Sequence, residues 1–89
     1  MQIKDLEKKS KFFKALGEPV RLKIIQYLLD KEECSCTCNL SKYLKKDQSV
    51  IFRHLQILKN AGIINTKKEA QFLRCCLKDK QKIKNLLGE

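Results

Sequence analysis

Three cysteines fall within five residues, at Cys34, Cys36 and Cys38, and two more stand side by side at Cys75 and Cys76. The alternate spacing puts the first three on one side of an extended chain, because successive side chains of a strand point to opposite faces. A continuous helix would turn Cys36 away from the other two. A site using all three sulfurs therefore needs this stretch extended, or frayed at a helix start. In a reducing compartment, clustered thiols read as ligands or redox groups more readily than as a disulfide framework. Packing as small buried hydrophobes is the plain alternative. Cys75 and Cys76 lie on an expected strand, so at most one of them faces the core. That pair reads either as packing or as the source of a fourth ligand or redox partner. Catalytic chemistry has little support: no set of nucleophile, base and orienting group is present, and there is one histidine, His54. The chain does not read as an enzyme.

The elements that must position these thiols belong to one small domain, residues 1–89. A chain of this size buries roughly 60–65% of the surface its unfolded form exposes, so a second copy would help to complete the core. Lys and Arg total 20 against 10 Asp and Glu, a formal charge of +10. That excess points to a polyanion, nucleic acid before an acidic membrane or an acidic protein. Hydrophobic residues make up 43% of the chain, too many for disorder. No apolar run approaches the roughly 18 residues of a membrane span. The stretch from Gln2 to Glu7 lacks the apolar core of a signal peptide. The expectation is a cytoplasmic protein with no membrane partner.

Helical spacing of Ile3, Leu6, Phe13 and Leu16 predicts a first helix over 2–16, ended by Gly17. Pro19 suits the first position of a second helix, which carries Val20, Ile24, Ile25, Leu28 and Leu29 and runs to about Asp30. A short third helix follows the cysteines through Leu40, Tyr43 and Leu44. Lys45 and Lys46 make a turn, and Asp47 is a good N-cap for a fourth helix ending near Ala61-Gly62. In that helix Ile51, Leu55 and Leu58 face inward, while Ser49, Phe52, Arg53 and Gln56 face the other way. Ile63–Thr66 and Phe72–Leu77 read as strands joined by the polar segment Lys67–Gln71. A last helix over 79–88 carries Ile83, Leu86 and Leu87. The fold class is mainly α with a small β-hairpin, in the order four helices, hairpin, helix. Two short helices joined by a tight turn and followed by a basic hairpin describe a winged helix-turn-helix.

Three stretches resemble the ArsR/SmtB family of metal-sensing transcriptional repressors. Phe13-Lys14-Ala15-Leu16-Gly17-Glu18-Pro19-Val20-Arg21-Leu22 resembles the family's opening motif. Cys36-Thr37-Cys38-Asn39-Leu40 resembles its metal-sensing segment, and Asp47-Gln48 through Ile63-Ile64 its recognition helix. The likeness spans about residues 12 to 77. Phe52 stands where the family usually has serine, Lys46 where it often has leucine, and Ala70 at the glycine position of the wing turn. The last helix lacks the Asp/His set with which many zinc sensors of the family bridge the dimer.

The resemblance implies a homodimeric repressor that reads an inverted repeat in duplex DNA and releases it when its thiol site is filled. Arg53 suits a guanine edge, Gln48 and Gln56 an adenine edge, and Ser49 lies on the same face. Phe52 either touches a thymine methyl or tucks into the protein, and His54 reads as structural, with a phosphate contact as the alternative. Lys42, Lys45 and Lys46 at the turn, with Lys67 and Lys68 on the hairpin, suit phosphates. Cys36 and Cys38 are placed by the resemblance at the first turn of the third helix, where the positive helix end favours thiolate. Arsenite, antimonite, cadmium and lead fit Cys34, Cys36 and Cys38. The first helix (Ile3, Leu6, Phe13) and the last (Ile83, Leu86, Leu87) would supply the dimer contact. Alternatives remain in a thiol redox or iron–sulfur regulator and in a basic RNA-associated protein with structural zinc. The latter needs four metal ligands and leaves the recognition-helix motif unexplained.

Overall fold

The computed structural model describes residues 2–31 and 34–88. Helix α1 (Ile3–Leu16) stops at Gly17, and α2 (Pro19–Lys31) restarts the chain two residues later. The Glu18 carboxylate accepts the Arg21 backbone N–H at 2.9 Å, so Glu18 caps one of the orphan donors that Pro19 leaves in the first turn of α2. Residues 32 and 33, expected to link α2 to the cysteines, lie outside the described residues. A two-residue strand β1 (Ser35–Cys36) then runs directly into α3 (Thr37–Leu44). Cys36 serves as the N-cap: its sulfur accepts the Cys38 N–H at 3.3 Å.

A three-residue turn leads from α3 to α4 (Gln48–Asn60). Lys45 adopts a left-handed conformation at φ 55°, and Lys46 N–H donates to the Ser41 carbonyl at 3.2 Å. The Ser41 hydroxyl donates in turn to the Lys46 carbonyl. Asp47 occupies the expected N-cap of α4, but its side chain makes no capping bond. The far end of α4 closes through Gly62 at φ 76°, with Ile63 N–H on the Leu58 carbonyl at 3.0 Å and Gly62 N–H on the Lys59 carbonyl at 3.0 Å. This pair of bonds is a Schellman closure, for which glycine's positive φ is suited.

The wing is tighter than the sequence suggests. Strand β2 (Ile64–Glu69) pairs with β3 (Phe72–Leu77) up to Glu69 opposite Phe72, leaving Ala70 and Gln71 as the turn. Lys67 and Lys68, expected on the loop, therefore lie within β2. Ala70 takes a positive φ of 53°, the conformation that makes its position a glycine position. Strand β1 adds itself to the other side of β3, giving a three-stranded antiparallel sheet in the order β1-β3-β2. Helix α5 (Lys80–Leu87) follows, capped by Asp79 on the Lys82 N–H at 3.1 Å.

The core unites Ile24, Ile25, Leu28 and Leu29 of α2, Leu40 of α3, the inward stripe Ile51, Leu55 and Leu58 of α4, and Ile63, Ile64, Cys75 and Ile83. Ile83 is thus a correction: it closes the chain's own core at 2% exposure and leaves Leu86 as the exposed apolar residue of α5. On α1 only Ala15 is buried, with Phe12 and Leu16 packed beside the core, while Ile3, Leu6 and Phe13 are exposed. No helix is long and apolar enough to cross a membrane among the described residues.

Candidate functional site

Helix α4 is held by its inward stripe and shows the opposite face to solvent. Gln48, Ser49, Phe52, Arg53 and Gln56 are all exposed, and Gln56 Nε2 donates a hydrogen bond to Asn60 Oδ1 at 3.1 Å. Lys42, Lys45 and Lys46 line the turn before it, and Lys67 and Lys68 lie exposed on β2. The result is a polar helix of about four turns flanked on two sides by lysines. A major groove admits such a helix, and lysines beside it meet phosphates.

His54 belongs to the machinery that aims this helix. Its Nδ1 accepts from the Arg21 guanidinium at 3.2 Å and lies 3.7 Å from the Glu18 carboxylate. Arg21 also donates through Nε to the Ala15 carbonyl at 2.6 Å, so one guanidinium ties the end of α1, the start of α2 and the middle of α4. Partial burial lowers the His54 pKa from 6.5; Glu18 pulls it up, and Arg21, Arg53 and Lys46 push it down again, leaving it below its ordinary value and the ring neutral. Desolvation draws the Glu18 carboxyl upward, but the Arg21 N–H, His54 and the Arg21 charge outweigh it and hold it below the usual range. The expectation of a structural histidine agrees with these contacts. Glu18 and Arg21 were not foreseen as its partners, although both stand in the opening motif.

The thiols are arranged differently from a three-sulfur cluster. Against the expectation of unpaired thiols, Cys34 is disulfide-bonded to Cys76, with Cα atoms 4.4 Å apart, and Cys36 to Cys38 around the start of α3, with Cα atoms 5.2 Å apart. Among the described residues, no three His, Cys, Asp or Glu side chains already converge as a metal-ready group. Cys75 stands apart: it is fully buried, its Sγ donates to the Ser35 carbonyl at 3.4 Å, and burial pushes its thiol up to about 11. The strand rule for adjacent residues thus resolves cleanly, with Cys75 in the core and Cys76 on the other face. Arg74, opposite Cys36 in the sheet register, donates to the Cys34 carbonyl at 3.3 Å. A cleft of about 580 Å³ joins the two regions, lined by Thr37 and Cys38 of α3, Gln48 and Phe52 of α4, and wing residues that include Phe72. Phe52 lines this cleft while staying exposed on the outward face of α4.

A helix-turn-helix whose second helix bears an outward polar face, followed by an antiparallel wing, defines a winged helix-turn-helix transcriptional regulator. A family profile described as "Bacterial regulatory protein, arsR family" matches residues 18–66. The chain belongs to the arsR family. It is 46% identical over 63 residues, 71% of its length, to the uncharacterized HTH-type transcriptional regulator MJ1325 of Methanocaldococcus jannaschii, of which that alignment spans 70%. It is 35% identical over 81 residues, 85% of its length, to a cadmium resistance transcriptional regulatory protein CadC homolog of Staphylococcus aureus, and spans 66% of that protein. Its fold superposes on the structure of HlyU from Vibrio cholerae N16961 with a TM-score of 0.79 at 29% identity, covering 99% of this chain and 100% of the other.

Proposed function

We propose that the chain works as a homodimeric, DNA-binding repressor in the cytoplasm, whose grip on an inverted-repeat operator is released by a thiophilic metal or metalloid ion. Recognition falls to Arg53, Gln48, Gln56, Ser49 and Phe52 of α4, and phosphate contacts to Lys42, Lys45, Lys46, Lys67 and Lys68. The dimer contact falls to the exposed Ile3, Leu6 and Phe13 of α1 and Leu86 of α5, large apolar residues the monomer leaves in water.

The observation that carries this reading is the cleft in which Cys38 lies beside Gln48 and Phe52. A change at the sulfurs meets the DNA-reading helix directly there and also reaches it through the three-residue turn. The donor set fits the effector: Cys34, Cys36 and Cys38 offer only soft sulfur, at a helix start whose N–H groups favour thiolate. Bound there, such an ion would supply a positive charge and a fixed meeting point for sulfurs that now stand in separate pairs. The relation to a cadmium resistance regulator supports the same chemistry.

The test is selection from a random duplex library, then titration of the reduced protein on the selected site with arsenite, antimonite, cadmium and lead. A palindromic site with half-sites about one helical turn apart is expected, with release of roughly 5- to 150-fold on filling the thiols. Arg53→Ala should relax base preference by about 1–3 kcal/mol. Lys67→Ala with Lys68→Ala should weaken all sequences alike and flatten the salt dependence. Release that survives Cys36→Ser with Cys38→Ser overturns the sensor, and a library that yields nothing palindromic overturns the repressor.

A further inference from the structure

Cys76 is the thiol whose position the reading above does not use. The register Ser35↔Cys75 and Cys36↔Arg74 continues to Cys34↔Cys76, and the 4.4 Å Cα separation of that last pair matches a non-hydrogen-bonded antiparallel pair, where cross-strand side chains lie closest. Strand alternation puts Cys34 and Cys36 on one face, about 7 Å apart along the chain, and Cys38 already touches Cys36. One face of the β1–β3 ladder thus carries Cys34, Cys36 and Cys76, the row continues to Cys38 in the first turn of α3, and Cys75, pointing to the other face, is fully buried. Two positive features border the row: the start of α3, and the Arg74 guanidinium on the Cys34 carbonyl. Both favour thiolates over thiols.

We propose that Cys76, from the wing, is the fourth ligand of a four-thiolate site completed by Cys34, Cys36 and Cys38, and that Cys75 takes no part. The proposal rests on the reading of the cysteine cluster as a metal sensor and adds the wing to it. Four sulfur donors match the tetrahedral demand of a soft divalent ion. Three of the ligands precede or begin α3 and one lies on β3, so occupancy would pin the wing against the helix-turn-helix.

The experiment is an anaerobic titration of the reduced, metal-free full chain with cadmium ion, followed by thiolate-to-metal ultraviolet absorption, chelator competition and proton release. Circular dichroism confirms that each variant is folded. Wild type and Cys75→Ala should bind one ion per chain with equal absorbance. Cys76→Ser should bind more than about a hundredfold more weakly, beyond what the loss of an outer-shell partner costs, and lose about a quarter of the absorbance, one sulfur in four. A Cys76→Ser protein that titrates like wild type overturns the proposal. If Cys36→Ser and Cys38→Ser still abolish binding in that case, the three-cysteine sensor stands without the wing. Peptide mapping that finds Cys34 and Cys76 disulfide-bonded in the cadmium-loaded protein also overturns it, in favour of a redox pair.

Discussion

Helices α1 and α4 are almost equal in length, 14 and 13 residues, yet they are held in opposite ways. Helix α4 buries Ile51, Leu55 and Leu58 completely and turns a polar face to solvent. Helix α1 buries only Ala15 and leaves Ile3 at 73%, Leu6 at 52% and Phe13 at 56% exposure. The monomer's own core therefore fixes α4 along its length and holds α1 only through its C-terminal part, at Phe12, Ala15 and Leu16. In the proposed function α4 meets DNA already held in place by the core, whereas α1 would be buried by a second copy. On the proposed reading the apolar residues of the two helices would serve different equilibria, folding in one case and association in the other.

The largest expected effects test that division. Leu55→Ala or Leu58→Ala should cost about 2–5 kcal/mol of unfolding stability, measured by denaturant titration. Leu6→Glu with Phe13→Glu should leave the far-ultraviolet signature of the fold intact while sedimentation shows the dimer gone. A stable dimer of the charged variant would reassign α1 to the monomer.

A smaller effect sharpens the same comparison, because His54 and Arg21 are the polar link between α1 and α4. With its folded-state pKa held below 6.5, His54 binds a proton more readily in the unfolded chain. Its contribution to stability is thus complete above about pH 6.5 and declines as pH falls below that value. Glu18, shifted below 4.5, works in a lower window, its benefit being lost only as pH falls through the carboxylate range. Denaturation at about pH 7.5 and about pH 5.5 should show a loss in wild type that is reduced in His54→Gln. An equal loss in both would remove His54 from the account.

The smallest effect lies at the two non-glycine residues with positive φ among the described residues. Lys45→Gly and Ala70→Gly should each stabilise the fold by up to about 1 kcal/mol, by relieving the Cβ crowding of the left-handed conformation. Thermal unfolding of each single variant measures it.

Much of this architecture is legible in the residues. The 3.6-residue spacing of Ile51, Leu55 and Leu58, the Gly17-to-Pro19 break and the Ala61-Gly62 closure place α4 and its neighbours to within a residue or two. The exposed face proposed to read DNA follows, since whatever is not inward on α4 must be outward. Long-range facts resist the same treatment. Strand β1 is two residues long and exists because β3 offers it an edge, a pairing some 40 residues away that no local pattern announces. The partnership of Cys34 with Cys76 depends on that register, so Cys34, Cys36 and Cys38 read as a self-contained trio. Alternation on β3 shows that Cys75 and Cys76 part company but leaves open which one enters the core. The burial of Ile83 was equally hidden, because an amphipathic terminal helix carries the same stripe whether it folds onto its own domain or onto another.

In the sheet order β1-β3-β2, strand β2 is left as an open edge. Six residues long, it presents unpaired backbone donors and acceptors to any strand that approaches, and such edges template aggregation unless they are guarded. The guards here are Lys67, Lys68 and Glu69, consecutive charged residues on that edge. The lysines proposed for phosphate contact are thus also placed to keep one wing from zipping onto the next. A chain stripped of both lysines should lose solubility along with DNA affinity, and a bound operator, by neutralising the same charges, takes over the guarding of that edge while it is in place.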